Sequence, residues 1–308
     1  MSLKRLVLVF GYSLFFSGLF AQNTPENSLA KQEEILSSLL KSIAKETSFT
    51  VKDSLNTQFK KTFEQTLLIN GSMLYPFDSL KSIGKLTSND KKVRVFTWNL
   101  PQSAGIHQYY GYIQVKKSDG SIALHSLIDN RKNVKDLNNE RLNPEKWLAG
   151  LYYQIADINF NSQTHYILLG FDFNNLFTSK KIIEVLSLDG NENPVFGLPV
   201  FNVDNKMMLS RIVFEFSARA VFTLRYNAEQ QMIIFDHLSP AKPEYLGDFQ
   251  FYGPDSSFDG FKLENGKWVY VRDLDLRNPR RERPKPVDAP VEIKEPSFIY
   301  KPSAGKSL

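Results

Sequence analysis

The sequence predicts a mainly β fold of α+β type. A helical hairpin comes first, then a large antiparallel β-meander closed as a sandwich or barrel, then a disordered tail. Three observations carry this. Residues 24–68 place apolar side chains at helical spacings. From Val93 to Val271, short β-branched and aromatic runs alternate with turn residues about every ten positions. From Pro279 onward the chain holds six prolines, many charges and little apolar content. The expected segments are 1–21, 22–70, 71–278 and 279–308.

Residues 1–21 read as a secretory signal peptide. Lys4 and Arg5 form a positive end, Leu6 to Phe20 is mostly apolar, and Ala21 is a small residue before a cut ahead of Gln22. The apolar run is short for a bilayer span. No later stretch is long and apolar enough to cross a membrane.

The first helix is expected to start with Thr24 as N-cap and Pro25 at the first helical position. Leu36, Leu39, Leu40 and Ile43 then form one stripe, with Lys31, Glu33, Glu34, Lys41 and Lys45 on the other faces. A second helix starts near Thr47 to Thr50. Its Val51, Leu55, Phe59, Phe63 and Leu67 recur every four residues, so the stripe drifts around the surface. The two helices are expected to pack their stripes on each other or on the main domain.

The strands follow in hairpin order. Val93 to Leu100 puts Arg94, Phe96, Trp98 and Leu100 on one face. His107–Lys117 and Ser121–Ile128 flank Asp119-Gly120, a strong hairpin signal. Leu151–Phe160 and Thr164–Phe173 flank Asn161 to Gln163. Lys181–Leu188 meets Asp189-Gly190. Arg211–Phe216, Val221–Tyr226 and Gln231–His237 come next, and Phe258–Leu263 and Lys267–Val271 flank Glu264-Asn265-Gly266. Sequential hairpins make antiparallel sheets. Asn143 to Leu148 is expected to hold one short helix. No clean internal repeat is seen, so a small propeller is an alternative to the sandwich or barrel.

Composition excludes several functions. The chain has 308 residues and no cysteine, which rules out disulfides, thiolate metal sites and cysteine nucleophiles, and leads us to expect no lipidated anchor. The formal net charge is +5, but Lys4 and Arg5 belong to the signal peptide. Arg277 to Leu308 holds eight Lys/Arg against four Asp/Glu. The body is therefore near neutrality, and no nucleic-acid partner is expected.

Motifs of known chemistry are missing. There is no Gly-x-Ser-x-Gly elbow, no His-Glu-x-x-His, no phosphate loop and no dinucleotide fingerprint. His107, His125, His165 and His237 lie in separate segments without metal-ligand spacing. No catalytic residue, metal site or cofactor is assigned. The ligand-binding candidates are Trp98, Tyr109, Tyr110, Asp172, Asn174, Asp236, His237, Asp255 and Asp259. Asp236-His237 ends an apolar strand, though neighbouring strand residues point to opposite faces. Asp172 and Asn174 share a strand face, as do Asp273 and Asp275, and such pairs suit a cation or acid–base work. Pro254 to Gly260 is a turn with two acids. Trp98, Tyr109 and Tyr110 are flat rings of the kind that stack on sugars, and one ring of the Tyr109-Tyr110 and Tyr152-Tyr153 pairs should face outward.

Tyr75-Pro-Phe-Asp-Ser-Leu80, Val95-Phe-Thr-Trp-Asn-Leu100, Tyr109-Tyr-Gly-Tyr-Ile113, Leu168-Leu-Gly170, Phe235-Asp-His-Leu-Ser-Pro240 and Phe251-Tyr-Gly-Pro-Asp255 together resemble a family of exported proteins from Bacteroidetes-type bacteria. The likeness spans roughly Tyr75 to Asn278. It implies export in a Gram-negative cell, to the periplasm or beyond, and supplies no catalytic residue. The expectation is an exported envelope protein acting as a non-catalytic ligand-binding or interaction module, its partner an envelope glycan or another envelope protein. The alternatives are a glycan-directed hydrolase using Asp/Glu acid–base chemistry and a purely structural envelope protein.

Overall fold

The computed structural model describes residues 25–160, 162–203 and 207–276. The segments expected to be a signal peptide, the Thr24 cap and a disordered tail lie outside them. The chain through Leu274 is one compact unit, and a second begins at Asp275.

Two helices, α1 (Pro25–Lys45) and α2 (Phe49–Leu67), precede fifteen strands among the described residues. Leu36, Leu40 and Ile43 of α1 are buried with Phe59, Phe63 and Leu67 of α2. Val51 stays 44% exposed, as a stripe that drifts around the helix requires. The stripes close on the first sheet, whose Phe96, Trp98, Leu100, Tyr110 and Tyr112 complete the same core.

That sheet is a meander of β1 (Gly84–Thr87), β2 (Val93–Pro101), β3 (His107–Lys116) and β4 (Ile122–Ile128). Phe96, Trp98 and Leu100 share a face with Arg94, as the alternation predicts. Arg94 is buried below the segment leaving α2, where its Nη1 donates to the carbonyls of Ser72, Met73 and Tyr75. The opposite face, with Val93, Val95, Ile113 and Val115, packs on a second sheet.

The second sheet contains β5 (Leu151–Phe160), β6 (Gln163–Asp172) and β7 (Thr178–Leu188), with β11 (Arg211–Ser217) and then β8 (Pro194–Phe196) along the edge of β7 opposite β6. Both its faces are covered. Tyr166, Leu168 and Ile182 face the first sheet, whereas Ile167, Leu169 and Ile183 face the third. A run such as Tyr166 to Leu169 is continuously apolar because each alternate residue meets a different core.

The third sheet has the order β10 (Met208–Leu209), β9 (Phe201–Asn202), β15 (Lys267–Val271), β14 (Tyr252–Glu264), β13 (Met232–Pro240), β12 (Leu224–Asn227). The molecule is thus a stack of a helical layer and three sheets, with a shared core between each pair of neighbours. Sheets of unequal size joined face to face are not propeller blades.

The mainly β, antiparallel architecture is as expected, with one local departure from a meander. After β8 the chain leaves the second sheet, adds β9 and β10 to the edge of the third, and returns as β11, so β9 runs parallel to β15. The short helix expected within Asn143–Leu148 is a single 3-10 turn, Pro144–Lys146, with Asn143 Oδ1 accepting from Lys146 N–H. The Glu264-Asn265-Gly266 hairpin is also as its residues predict: Asn265 and Gly266 both take positive φ, 49° and 75°.

The core also sets an acid sensitivity. Burial holds the imidazoles of His107, His125 and His165 below their ordinary value of 6.5. The unfolded chain therefore takes up these protons first as the pH falls. Their contribution is complete above 6.5 and is lost as the pH descends through the lowered folded values. The melting temperature should fall as the pH is taken from about 7 to about 5, and a flat profile over that range would contradict the burial.

Candidate functional site

Three loops meet at one end of the strands: β2–β3, the segment after β4, and β6–β7. In the first, Ala104 and Gly105 take positive φ, 57° and 69°, to turn the chain tightly. Gly105 is also required by contact, since a Cβ there would sit 2.6 Å from Leu176 Cδ2 in the β6–β7 loop. After β4, Asp129 Oδ1 accepts from Arg131 N–H and starts a short 3-10 turn, Arg131–Asn133. In the third loop, Asn174 has φ 51°, and Asn175 Oδ1 accepts from the N–H groups of Phe177 and Thr178.

Arg131 ties the loops together. Its Nε and Nη2 donate to the two oxygens of Asp129, each at 3.0 Å. Nη1 donates to Asp172 Oδ1 at 2.8 Å, and Nη2 to the His107 carbonyl at 2.7 Å. Its guanidinium lies 4.5 Å from the Tyr109 ring centroid. Asp172, 4% exposed, also accepts from Tyr109 Oη at 2.9 Å and from Asn174 N–H. Burial and the Asp172 charge push the Tyr109 hydroxyl well above its ordinary range. The His107 ring stacks on Phe173 at 4.1 Å.

Beside this clamp opens a cleft of about 380 Å³. Its walls are Ile106, Leu137, Leu148, Ile182 and Val213, and its polar rim includes Lys132, Asn174 and Lys180. A second hollow of about 310 Å³ adjoins it through Ile106, Arg131 and Lys132. The size falls within the range of small-molecule sites, and a mostly apolar wall with a few convergent polar groups is their usual composition. A larger hollow near His125, about 570 Å³, is shallow and lined mainly by turn residues such as Asn143 and Asp189.

Tyr109, Asp172 and Asn174 thus converge, although Asn174 does so from the loop beyond β6 rather than from a shared strand face. His237, Asp255 and Asp259 converge elsewhere. Between β13 and β14 the register shifts at Asp236/Leu238, so residues 255–257 bulge opposite His237. His237 Nδ1 lies 2.7 Å from buried Asp259, and Nε2 lies 3.9 Å from Asp255. Asp259 also accepts from Tyr270 Oη and from Asp273 N–H. Burial alone would raise the Asp259 carboxyl, but the bonds from Tyr270, His237 and Asp273 hold it below its usual range. Asp255 is held low by Ser257.

Other expectations are corrected. Asp236, marked as a binding candidate, stays apart from His237, as strand alternation predicts, and instead accepts from Thr223 N–H, which fixes the β12 entry. Asp273 lies past the end of β15 with φ 55°, so it shares no strand face with Asp275. Trp98 is 3% exposed, stacks on Tyr110 and donates Nε1 to Asn56 of α2. Tyr110 lies under Lys60. Both are covered by the helices, so neither offers a ring to a sugar, and neither ring of the Tyr109-Tyr110 pair faces outward. Of Tyr152-Tyr153, Tyr153 does, at 41% exposure. The four histidines sit apart, each with its own surroundings. Among the described residues no group of three His, Cys, Asp or Glu could hold a metal ion.

Sequence reasoning missed Arg131, Asp129, Lys132 and Lys180. The only signal was the polar run Asp129-Asn-Arg-Lys-Asn133 directly after a strand, which reads as an ordinary turn. No family model matches the chain, and neither a curated protein nor a solved structure matches it.

Proposed function

We propose that this is an exported cell-envelope protein whose job is non-catalytic binding, with the cleft beside Arg131 as its ligand site. Export is supported by the signal-like first 21 residues. The observation that carries the binding role is the division of labour at the cleft. The charged groups of its frame spend their hydrogen bonds on each other, which holds three loops rigid, while the walls are left apolar and open to solvent. Preorganisation of that kind lowers the entropic cost of binding.

Acid–base hydrolysis is less well supported. It needs a carboxyl kept protonated near neutral pH beside an ionised one. Asp255 and Asp259, the acids brought closest by His237, are both held low.

A thermal-shift screen with aliphatic acids, glycans and peptidoglycan fragments tests the proposal. A ligand at about 100 times its dissociation constant should add about 2.7 kcal/mol and raise the midpoint. The rise should vanish when Val213 is replaced by tryptophan, which fills the cleft. A ligand-induced rise unaffected by that change would place binding elsewhere and overturn the assignment of the site.

A further inference from the structure

We propose that the cleft takes a single-chain amphipathic anion, an aliphatic tail ending in a carboxylate or phosphate. This rests on the cleft being the binding site and goes further by naming what fits it.

The wall chemistry comes first. No aromatic side chain lines the cleft; Leu137, Leu148, Ile182, Val213 and Ile106 are all aliphatic. Sugar sites present flat rings to the apolar faces of pyranoses, and Trp98 and Tyr110, the rings suited to that task, are buried under the helices. A branched aliphatic wall instead matches an alkyl chain, which gains about 0.8 kcal/mol per methylene removed from water. About 380 Å³ has room for one such chain and not for a polymer.

The rim fixes the head group. Lys132 is exposed and makes no ion pair among the described residues. Lys180, across the cleft, keeps only a 3.5 Å pair with Glu215. Of the charged residues that line the cleft itself, Arg131, Lys132 and Lys180 are positive and Asp172 is negative. Asp129 and Glu215 behind the wall balance the sum, but both are held by Arg131, Lys180, Thr178 and Asn174, which leaves Lys132 as the lining cation without an ion pair among the described residues. Outside the mouth, Phe173, Leu176 and Phe177 are exposed on the β6–β7 loop, so apolar surface continues from the cleft outward. That arrangement suits a ligand drawn from an apolar phase.

Isothermal titration of the chain, with each probe below its micelle-forming concentration, tests this. The probes are dodecanoate, dodecyl phosphate, octanoate, a dodecanoyl lysophospholipid, dodecanol, dodecylamine and a disaccharide. Dodecanoate and dodecyl phosphate should bind, with octanoate at least tenfold weaker. A lysophospholipid tighter than dodecanoate would identify a lipid head group as the source, and the reverse order a free fatty acid. Lys132→Glu should weaken both anions about tenfold while leaving the melting temperature of the free chain unchanged. Val213→Trp should abolish binding; should that variant fail to fold, the Lys132→Glu and chain-length results decide alone. Dodecanol or dodecylamine binding as tightly as dodecanoate would overturn the anionic head. A disaccharide that binds and is blocked by Val213→Trp, with no alkyl anion bound, would overturn the ligand class and keep the site. No probe sensitive to either variant would overturn both.

Discussion

Replacing Glu184 with glutamine is expected to cost about 3–5 kcal/mol of folding stability. Glu184 on β7 and Arg211 on β11 are cross-strand partners with fully buried side chains, and Arg211 Nε donates to Glu184 Oε2 at 2.5 Å. Removing one charge leaves the other desolvated without a partner, which is why the penalty exceeds that of a surface pair. Arg211 also donates Nη1 to the carbonyls of Leu137 and Glu140. Leu137 is a wall of the cleft, so the pair holds a binding wall as well as the sheet. A urea melt of the Glu184→Gln variant should show the midpoint falling sharply. The double variant Glu184→Leu with Arg211→Met should recover much of the loss, because two apolar groups replace two buried charges. A single variant within about 1 kcal/mol of the parent would show that the pair is not buried as described.

Replacing Phe63 with alanine should cost a similar amount, about 3–5 kcal/mol. Phe63 is fully buried on α2, with ring centroids of Phe96 at 5.0 Å, Phe59 at 5.4 Å, Phe77 at 5.7 Å and Tyr112 at 5.9 Å. Phe96, Phe77 and Tyr112 meet it edge-on and Phe59 is tilted against it, and rings so packed cannot all close the hole it leaves. The same substitution at Val51, one end of the same stripe but 44% exposed, should change stability by less than about 0.5 kcal/mol. Equal losses at the two positions would mean that α2 does not sit on the first sheet as found. The contrast also bears on Trp98, since that side chain is unavailable to ligand only while α2 covers it.

Much of the architecture was legible in local pattern. The Leu36–Ile43 stripe, the Asp119-Gly120 and Asn265-Gly266 turns, and the bounds of β5 and β15 follow from spacing and turn chemistry alone. The departure of β9 and β10 to the third sheet was not, because strands of two residues carry too few side chains for periodicity to register. The burial of Trp98 and Tyr110 was hidden for another reason. Alternation says which residues share a face, yet not whether a helix layer covers it. Tyr109, Asp172 and Asn174 were marked as candidates on strand arguments, and what joins them, Arg131, lies 22 residues from Tyr109 and 41 from Asp172 in a plain polar turn. Asp255 and Asp259 reach His237 only through a bulge that strand alternation does not anticipate.

Hydrogen–deuterium exchange of the chain with and without dodecanoate tests the central claim most directly. Added protection should appear together in 102–106, 131–137 and 172–180, the segments that Arg131 and the Gly105–Leu176 contact hold around the cleft. Protection confined to the His237–Asp259 bulge, or none at all, would contradict the account.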